Sequence, residues 1–281
     1  MSTSHPGQSE RAAAFIALHE AARGFVIPNP WDAGSTRMLQ SMGFKALAST
    51  SAGFAFSRAR PDYGIERDAL MSHLAELVAA TSLPINADLE NGFGDDPAEC
   101  ARTIELAAAA GVSGGSIEDS TGRRDDPIYP LELAVERIRA AAEAAHSRPT
   151  RFLLTARCEN FFIGRPDLAD TIARLQAYQE AGADVLYAPS LATREDIATV
   201  LREIDRPLNV LFGVRGMTLG IEDLLDMGVK RISTGGTLAR AAIGGMLRAA
   251  SALREGRPDF GEGATPGPVL NRLFSDPDAT L

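Results

Sequence analysis

Two carboxylates placed two residues apart, Asp88 and Glu90, stand inside the run Pro84-Ile85-Asn86-Ala87-Asp88-Leu89-Glu90-Asn91-Gly92-Phe93-Gly94. The run opens apolar and closes on glycines, the pattern of a strand entering a turn. Successive side chains of an extended strand point to opposite faces, so Asn86, Asp88 and Glu90 share one face and Ala87 and Leu89 take the other. Like charges held together away from water are costly unless a cation or a proton compensates them. Hard carboxylate oxygens favour Mg2+ or Mn2+, so the run reads as one wall of a divalent-metal site; a strand whose acids are simply solvated is the plain alternative.

Polar residues recur where other strands are expected to end: Ser49-Thr50-Ser51-Ala52-Gly53, Ser116-Ile117-Glu118-Asp119 and Thr155-Ala156-Arg157-Cys158-Glu159. Glu118 supplies a third acid, suited to a metal held partly through water. Three acids and one guanidinium point to an anionic substrate, with the metal chelating a carboxylate and an adjacent oxygen while Arg157 clamps a carboxylate bidentately. Such a site suits enolate chemistry, for which Glu118 and Arg157 are the catalytic candidates. The backbone N–H groups of Ser51, Ala52 and Gly53 form a candidate oxyanion hole, and Asn209, near the start of a later strand, joins the substrate-binding set.

These residues need elements to carry them. Short β-like runs at 25–28, 46–51, 84–90, 115–119, 151–159, 183–188, 208–213 and 230–234 alternate with helical patterns. After a leading helix at 11–23, the helices fall at 34–42, 67–81, 96–110, 131–146, 166–181, 194–204, 221–227 and 237–255. Strands alternating with helices pair in parallel, and eight such units match a closed (β/α)8 barrel, whose catalytic groups sit at the C-terminal ends of strands. An open dinucleotide-binding sheet is disfavoured, because the first strand enters Asn29-Pro30-Trp31-Asp32 where a G-x-G-x-x-G turn would stand. The barrel is expected over 1–256, leaving 257–281 as a Gly/Pro-rich tail, loosely ordered or an arm that packs on a partner.

At 281 residues, 45% hydrophobic and 23% charged, the chain is long enough to bury one large α/β core. A net charge of −9 argues against a nucleic-acid surface. Cys100 and Cys158 are far apart with no metal-ligand spacing, which predicts a reducing, cytoplasmic setting. A polar N-terminus and the lack of any run of about 18 apolar residues predict neither a signal segment nor a membrane span. His5, His19, His73 and His146 fall in the N-terminal tail or on helices, away from the strand ends. Cys158 is expected to be an inert packed thiol, and Gly235-Gly236 either a phosphate turn or a close helix contact.

Taken in order, Trp31-Asp32-Ala33-Gly34-Ser35, Thr50-Ser51-Ala52-Gly53, the run from Asp88 to Gly94, Ile117-Glu118-Asp119, Ala156-Arg157 and Ser233-Thr234-Gly235-Gly236 resemble the isocitrate lyase and phosphoenolpyruvate mutase superfamily over residues 25–250. The resemblance implies a (β/α)8 barrel that binds Mg2+ (or Mn2+) and a small 2-oxo or 2-hydroxy acid, and breaks or makes a C–C or P–C bond next to a carboxylate. It implies Asp88 as the direct metal ligand, Glu90 and Glu118 as acids acting largely through metal-bound water, Arg157 as the substrate clamp and Ser51–Gly53 as the anion-binding turn. It also implies a homotetramer that exchanges its last helix. Ser120-Thr121-Gly122-Arg123-Arg124-Asp125-Asp126 stands where the mutases carry lysines and an Asn, and where the lyases carry a Cys and His. The expectation is therefore a divergent lyase or decarboxylase, similar to the oxaloacetate decarboxylase or dimethylmalate lyase branches, with Arg123, Arg124 and Tyr129 as lid candidates. P–C bond chemistry and a non-catalytic organic-acid-binding homologue are the alternatives.

Overall fold

The apolar residues of the strands buttress the helices on one side, and polar residues face inward on the other. A computed structural model describes residues 6–276 and 279–281, so His5 lies outside the described residues. The strands are β1 (Phe25–Ile27), β2 (Leu47–Ala48), β3 (Ile85–Asp88), β4 (Gly114–Glu118), β5 (Leu153–Arg157), β6 (Val185–Tyr187), β7 (Leu208–Leu211) and β8 (Arg231–Ser233). They run parallel in the order β1-β8-β7-β6-β5-β4-β3-β2. Between β1 and β2 the barrel is closed by Ala48 N donating to Pro28 O at 3.0 Å. Asn29 reinforces this seam: its amide donates to Ser49 O (2.8 Å) and accepts from the N–H groups of Thr234 and Gly235 (both 2.9 Å), tying together the ends of three strands.

The helices are α1 (Gln8–Glu20), α2 (Ala33–Ser41), α3 (Ser51–Ser57), α4 (Arg67–Ala79), α5 (Pro97–Ala109), α6 (Leu131–His146), α7 (Leu168–Glu180), α8 (Arg194–Glu203), α9 (Ile221–Asp226), α10 (Thr237–Arg254) and α11 (Gly267–Ser275). Two of them depart from the sequence reading. The segment expected to be strand through Ser51 turns at Thr50, whose Oγ1 accepts from Gly53 N and caps α3. The tail forms α11, which packs on α2: Leu273 is buried and Arg37 donates to the carbonyls of Leu273 (3.1 Å) and Asp276 (3.0 Å).

Inside the barrel three tiers follow one another. At the N-terminal end α1 plugs the opening, burying Phe15 against Ile27, Ala46, Ala48 and Leu153. Full burial of such a ring contributes about 2 kcal/mol. Above it lies a polar tier of Asn86, Ser116, Thr155, Asn209, Arg231 and Ser233, all buried. At the C-terminal rim stand Asp88, Glu118 and Arg157. Outward-facing Ala87, Ile117, Leu154, Ala156, Leu186, Val210 and Ile232 form the core shared with the helices. On α10 only Ala239 and Ala252 are buried, while Ile243, Met246, Leu247 and Leu253 are exposed. Among the described residues no helix is long and apolar enough to cross a membrane.

Candidate active site

Parallel register sets Glu118 beside Arg157 and Arg157 beside Tyr187, so inward side chains of adjacent strands meet at the rim. The Arg157 guanidinium contacts three acids: Nη1 to Asp88 Oδ1 (3.0 Å), Nη2 to Glu118 Oε2 (3.0 Å) and Nε to Glu159 Oε1 (2.8 Å). Its flat face lies over the Tyr187 ring, 5.1 Å from the centroid. The other Asp88 oxygen accepts from Ser51 N (3.0 Å) and Ser51 Oγ (2.9 Å), which fixes the carboxylate from the start of α3. Glu90 lies just beyond β3 with a left-handed φ of 50°, is buried, and leaves Oε1 without a hydrogen-bond partner. A non-glycine residue in that conformation is strained and persists only where its surroundings hold it.

Asp88, Glu90, Glu118 and Arg157 thus line one cavity of about 210 Å3, together with Ser51, Ala52, Asp62, Tyr63, Tyr187 and Asn209. Burial, with the charges of Asp88 and Asp62, pushes the Glu90 carboxyl up to about 8. Burial likewise raises Glu118 well above the carboxylate range and Glu159 to about 7. For Arg157 burial alone would lower the pKa, but Glu118, Glu159 and Asp88 together raise it.

Four carboxyl groups crowd one guanidinium, so burial and mutual repulsion favour the protonated forms of Glu90, Glu118 and Glu159 unless a further cation compensates them, and one buried carboxyl oxygen has no donor. That hard-oxygen set fits a divalent cation. Among the described residues no three His, Cys, Asp or Glu side chains form a ready-made cage. Mg2+ does not require one, since it keeps several waters and takes one or two carboxylates.

The rim is braced from behind. Asp119 accepts from Glu159 N (2.8 Å), Tyr178 Oη (2.5 Å) and Arg174 Nη1 (3.1 Å), locking the tops of β4 and β5 to α7. The turn after β3 is held by Arg137, 1% exposed, which donates to the carbonyls of Asn91, Gly94 and Asp95 and stacks on Tyr129 at 4.1 Å. Gly92 (φ 84°) packs so closely on Cys100 that a Cβ would lie 2.8 Å from its sulfur.

Several residues sit differently from the sequence reading. Ser51 and Ala52 line the cavity, but Gly53 is behind the turn, where a Cβ would meet Thr50, Trp31 and Ala239 within 3.1 Å. Its glycine serves packing rather than ligand approach, and its N–H caps α3. Asn209 lies below the rim, bonded to Arg231 Nε (2.9 Å) and Ser233 Oγ (3.0 Å). None of the lid candidates lines this cavity: Arg123 pairs with Asp95 (2.9 Å) beside a neighbouring pocket that Glu90 also lines, the buried Tyr129 donates to Asp95 (2.6 Å), and Arg124 is exposed. Cys158 is buried on the outer side, its thiol raised well above the usual range by burial. His19, His73 and His146 are absent from the cavity lining; His73 stacks on Phe54 at 3.8 Å. Gly235 lines the cavity with its N–H already given to Asn29.

With Asp62, Tyr187, Arg231 and Arg240, Tyr63 is among the lining groups that sequence reading missed. Its hydroxyl donates to Glu118 and lies 3.0 Å from Ser120 Oγ, from a loop where Tyr63 itself has φ 58°. Pro61-Asp62-Tyr63-Gly64 reads only as a turn, because nothing local says that it folds over a strand end distant in sequence.

The chain matches the phosphoenolpyruvate phosphomutase family over residues 15–254. A crystal structure from Burkholderia cenocepacia J2315, named only in the broad terms lyase/mutase, is 55% identical with a TM-score of 0.94, covering 97% of this chain and 98% of that one. The crystal structure of a 2,3-dimethylmalate lyase, itself a member of the PEP mutase/isocitrate lyase superfamily, is 26% identical with a TM-score of 0.82, covering 94% of each chain. The 2-methylisocitrate lyase of Escherichia coli (strain K12) is 31% identical over 199 residues, 68% of this chain and 64% of its own. A closed eight-stranded barrel with its acids at the strand ends, matched along this length, belongs to the phosphoenolpyruvate phosphomutase family, within the superfamily that also holds the isocitrate lyases.

Proposed function

We propose that the protein is a Mg2+-dependent carbon–carbon lyase or decarboxylase acting on a small 2-oxo or 2-hydroxy di- or tricarboxylate through an enolate. The observation that carries this reading is the convergence of Asp88, Glu90 and Glu118 on one cavity with more carboxylate than Arg157 balances. Asp88, Glu90 and Glu118 would hold the cation, which when bound polarises substrate oxygens and offsets the negative charge of an enolate. Ser51 aims Asp88 with two hydrogen bonds. Tyr63 covers Glu118 and helps keep water from the rim. On the turn after β2, the N–H groups of Ser51 and Gly53 are engaged, which leaves the first-turn N–H of Ala52 as the donor for a developing oxyanion. Arg157 can turn one edge to a substrate carboxylate only by giving up one of its three acids.

The two buried free thiols suit a cytoplasmic setting. The exposed apolar stripe of α10 suits contact with a second copy of the chain, as in an exchanged-helix tetramer. A panel of oxaloacetate and substituted malates, assayed for release of a 2-oxo acid with Mg2+ and with chelator, tests the reading. Turnover should need metal and fall at least roughly a hundredfold in Glu118→Gln. Full turnover in that variant, or in chelator, overturns it.

A further inference from the structure

The interior of a (β/α)8 barrel is ordinarily filled by tiers of branched apolar side chains. Here the tier directly under the acids is polar and contains a cation. Arg231, 2% exposed, reaches Asn209 Oδ1 through Nε (2.9 Å), Thr155 Oγ1 through Nη2 (2.9 Å) and Asn86 Oδ1 through Nη1 at 3.5 Å. Buried charges are normally paired. Arg157 has three carboxylates and Arg174 has two, yet among the described residues none pairs with Arg231. Burial lowers its pKa only to about 10, so it is a cation at neutral pH. A guanidinium carries five N–H groups, and three contacts, one of them weak, leave N–H on both Nη atoms to spare.

Arg231 lines the cavity. Asn86, Ser116, Asn209, Arg231 and Ser233 all line its lower part. Glu118, Arg157, Tyr187, Asn209 and Arg231 form one register-linked row, which descends from rim to floor because barrel strands are tilted. Beneath it Gly114 packs tightly against the plug: a Cβ there would lie 2.7 Å from Leu153 O, 3.0 Å from the Phe15 ring and 3.1 Å from Asn86 Oδ1. The rim arginine is saturated by acids, whereas the floor arginine has none.

We propose that Arg231, with Asn86 and Asn209, forms a carboxylate-binding subsite on the cavity floor, and that the substrate is a dicarboxylate whose second carboxylate points down the barrel. The proposal rests on the lyase reading for the chemistry at the rim, but the floor is testable apart from it. One guanidinium edge flanked by amides suits a planar carboxylate, which takes two parallel N–H bonds. A single buried cation gives less compensation to a dianionic phosphate.

Calorimetric titration of the full-length protein with succinate, butyrate and oxalate, each with Mg2+ and with chelator, separates the two sites. Succinate should bind at least tenfold more tightly than butyrate, and Arg231→Gln should remove that difference while Mg2+-dependent oxalate binding stays within threefold. Equal affinity for succinate and butyrate in the unsubstituted protein, or succinate binding unchanged in Arg231→Gln, overturns the proposal. Oxalate binding that ignores Mg2+ would instead count against the rim. Should Arg231→Gln fail to fold, crystals of the unsubstituted protein soaked in succinate decide the matter: a carboxylate against the Arg231 guanidinium supports the subsite, and succinate seated at the rim alone, or not bound, overturns it.

Discussion

Glu90 concentrates the chemistry of the rim in one side chain. It is buried, strained at φ 50° and lacks a donor for one oxygen, and its carboxyl is pushed up to about 8 by burial first and by Asp88 and Asp62 next. Because the folded-state pKa is raised, the native protein binds more protons than the unfolded chain between about pH 4.5 and 8, so this group's contribution to stability is lost as pH rises through that window. In metal-free protein the melting temperature should therefore decline with pH. Glu90→Gln should flatten the decline and raise the melting temperature at pH 8.5 by roughly 2–4 °C, the shift that about 1 kcal/mol gives in a chain of this size. A steeper decline in the variant would refute the assignment. Mg2+ must displace that proton, so its affinity should climb between about pH 6 and 8, by roughly tenfold per unit for one proton released. Calorimetry in two buffers of different ionisation enthalpy reads the release directly.

At the level of elements, the site is only as well defined as the segments that aim it. Asp119 joins β4, β5 and α7 through Glu159 N, Arg174 and Tyr178 with no exposure to solvent screening. Asp119→Asn keeps the shape but leaves the Arg174 guanidinium with less negative charge. Urea unfolding should show a loss of about 3 kcal/mol, as for other broken buried pairs. A loss under about 1 kcal/mol would mean that Asp170 carries Arg174 alone. The short helix α3 has a second duty: its first residue delivers Ser51 to Asp88, and its N-cap Thr50 uses the N–H that an oxyanion hole would have needed from Gly53.

For the whole molecule, the barrel leaves one face unfinished. Met246, Leu247 and Leu253 of α10 are each more than half exposed, and Ile243 lies beside them. If a second copy covers this stripe, Met246→Glu combined with Leu247→Glu should shift the protein to a smaller species by light scattering coupled to size exclusion, with its far-ultraviolet circular dichroism retained. A mass unchanged by the double substitution would remove the case for α10 as the contact.

Alternation of β and α patterns determined the barrel, because period-2 and period-3.6 apolar spacing is written locally and parallel strands need crossover helices. Asp88, Glu118 and Arg157 were likewise legible at strand ends without coordinates, whereas Glu90 stands past the end of β3 at φ 50° and not on the strand face that its spacing from Asp88 implied. What stayed hidden depends on contacts between distant segments. Arg231 looks like an ordinary strand residue, Tyr63 like a turn residue and Gly53 like an open approach; burial among Asn86, Thr155 and Asn209, the hydrogen bond to Glu118, and the crowding by Trp31 and Ala239 exist only after the chain has closed on itself. Sequence spacing fixes which face a side chain takes on its own strand, but strand tilt and register decide which residues of other strands it meets.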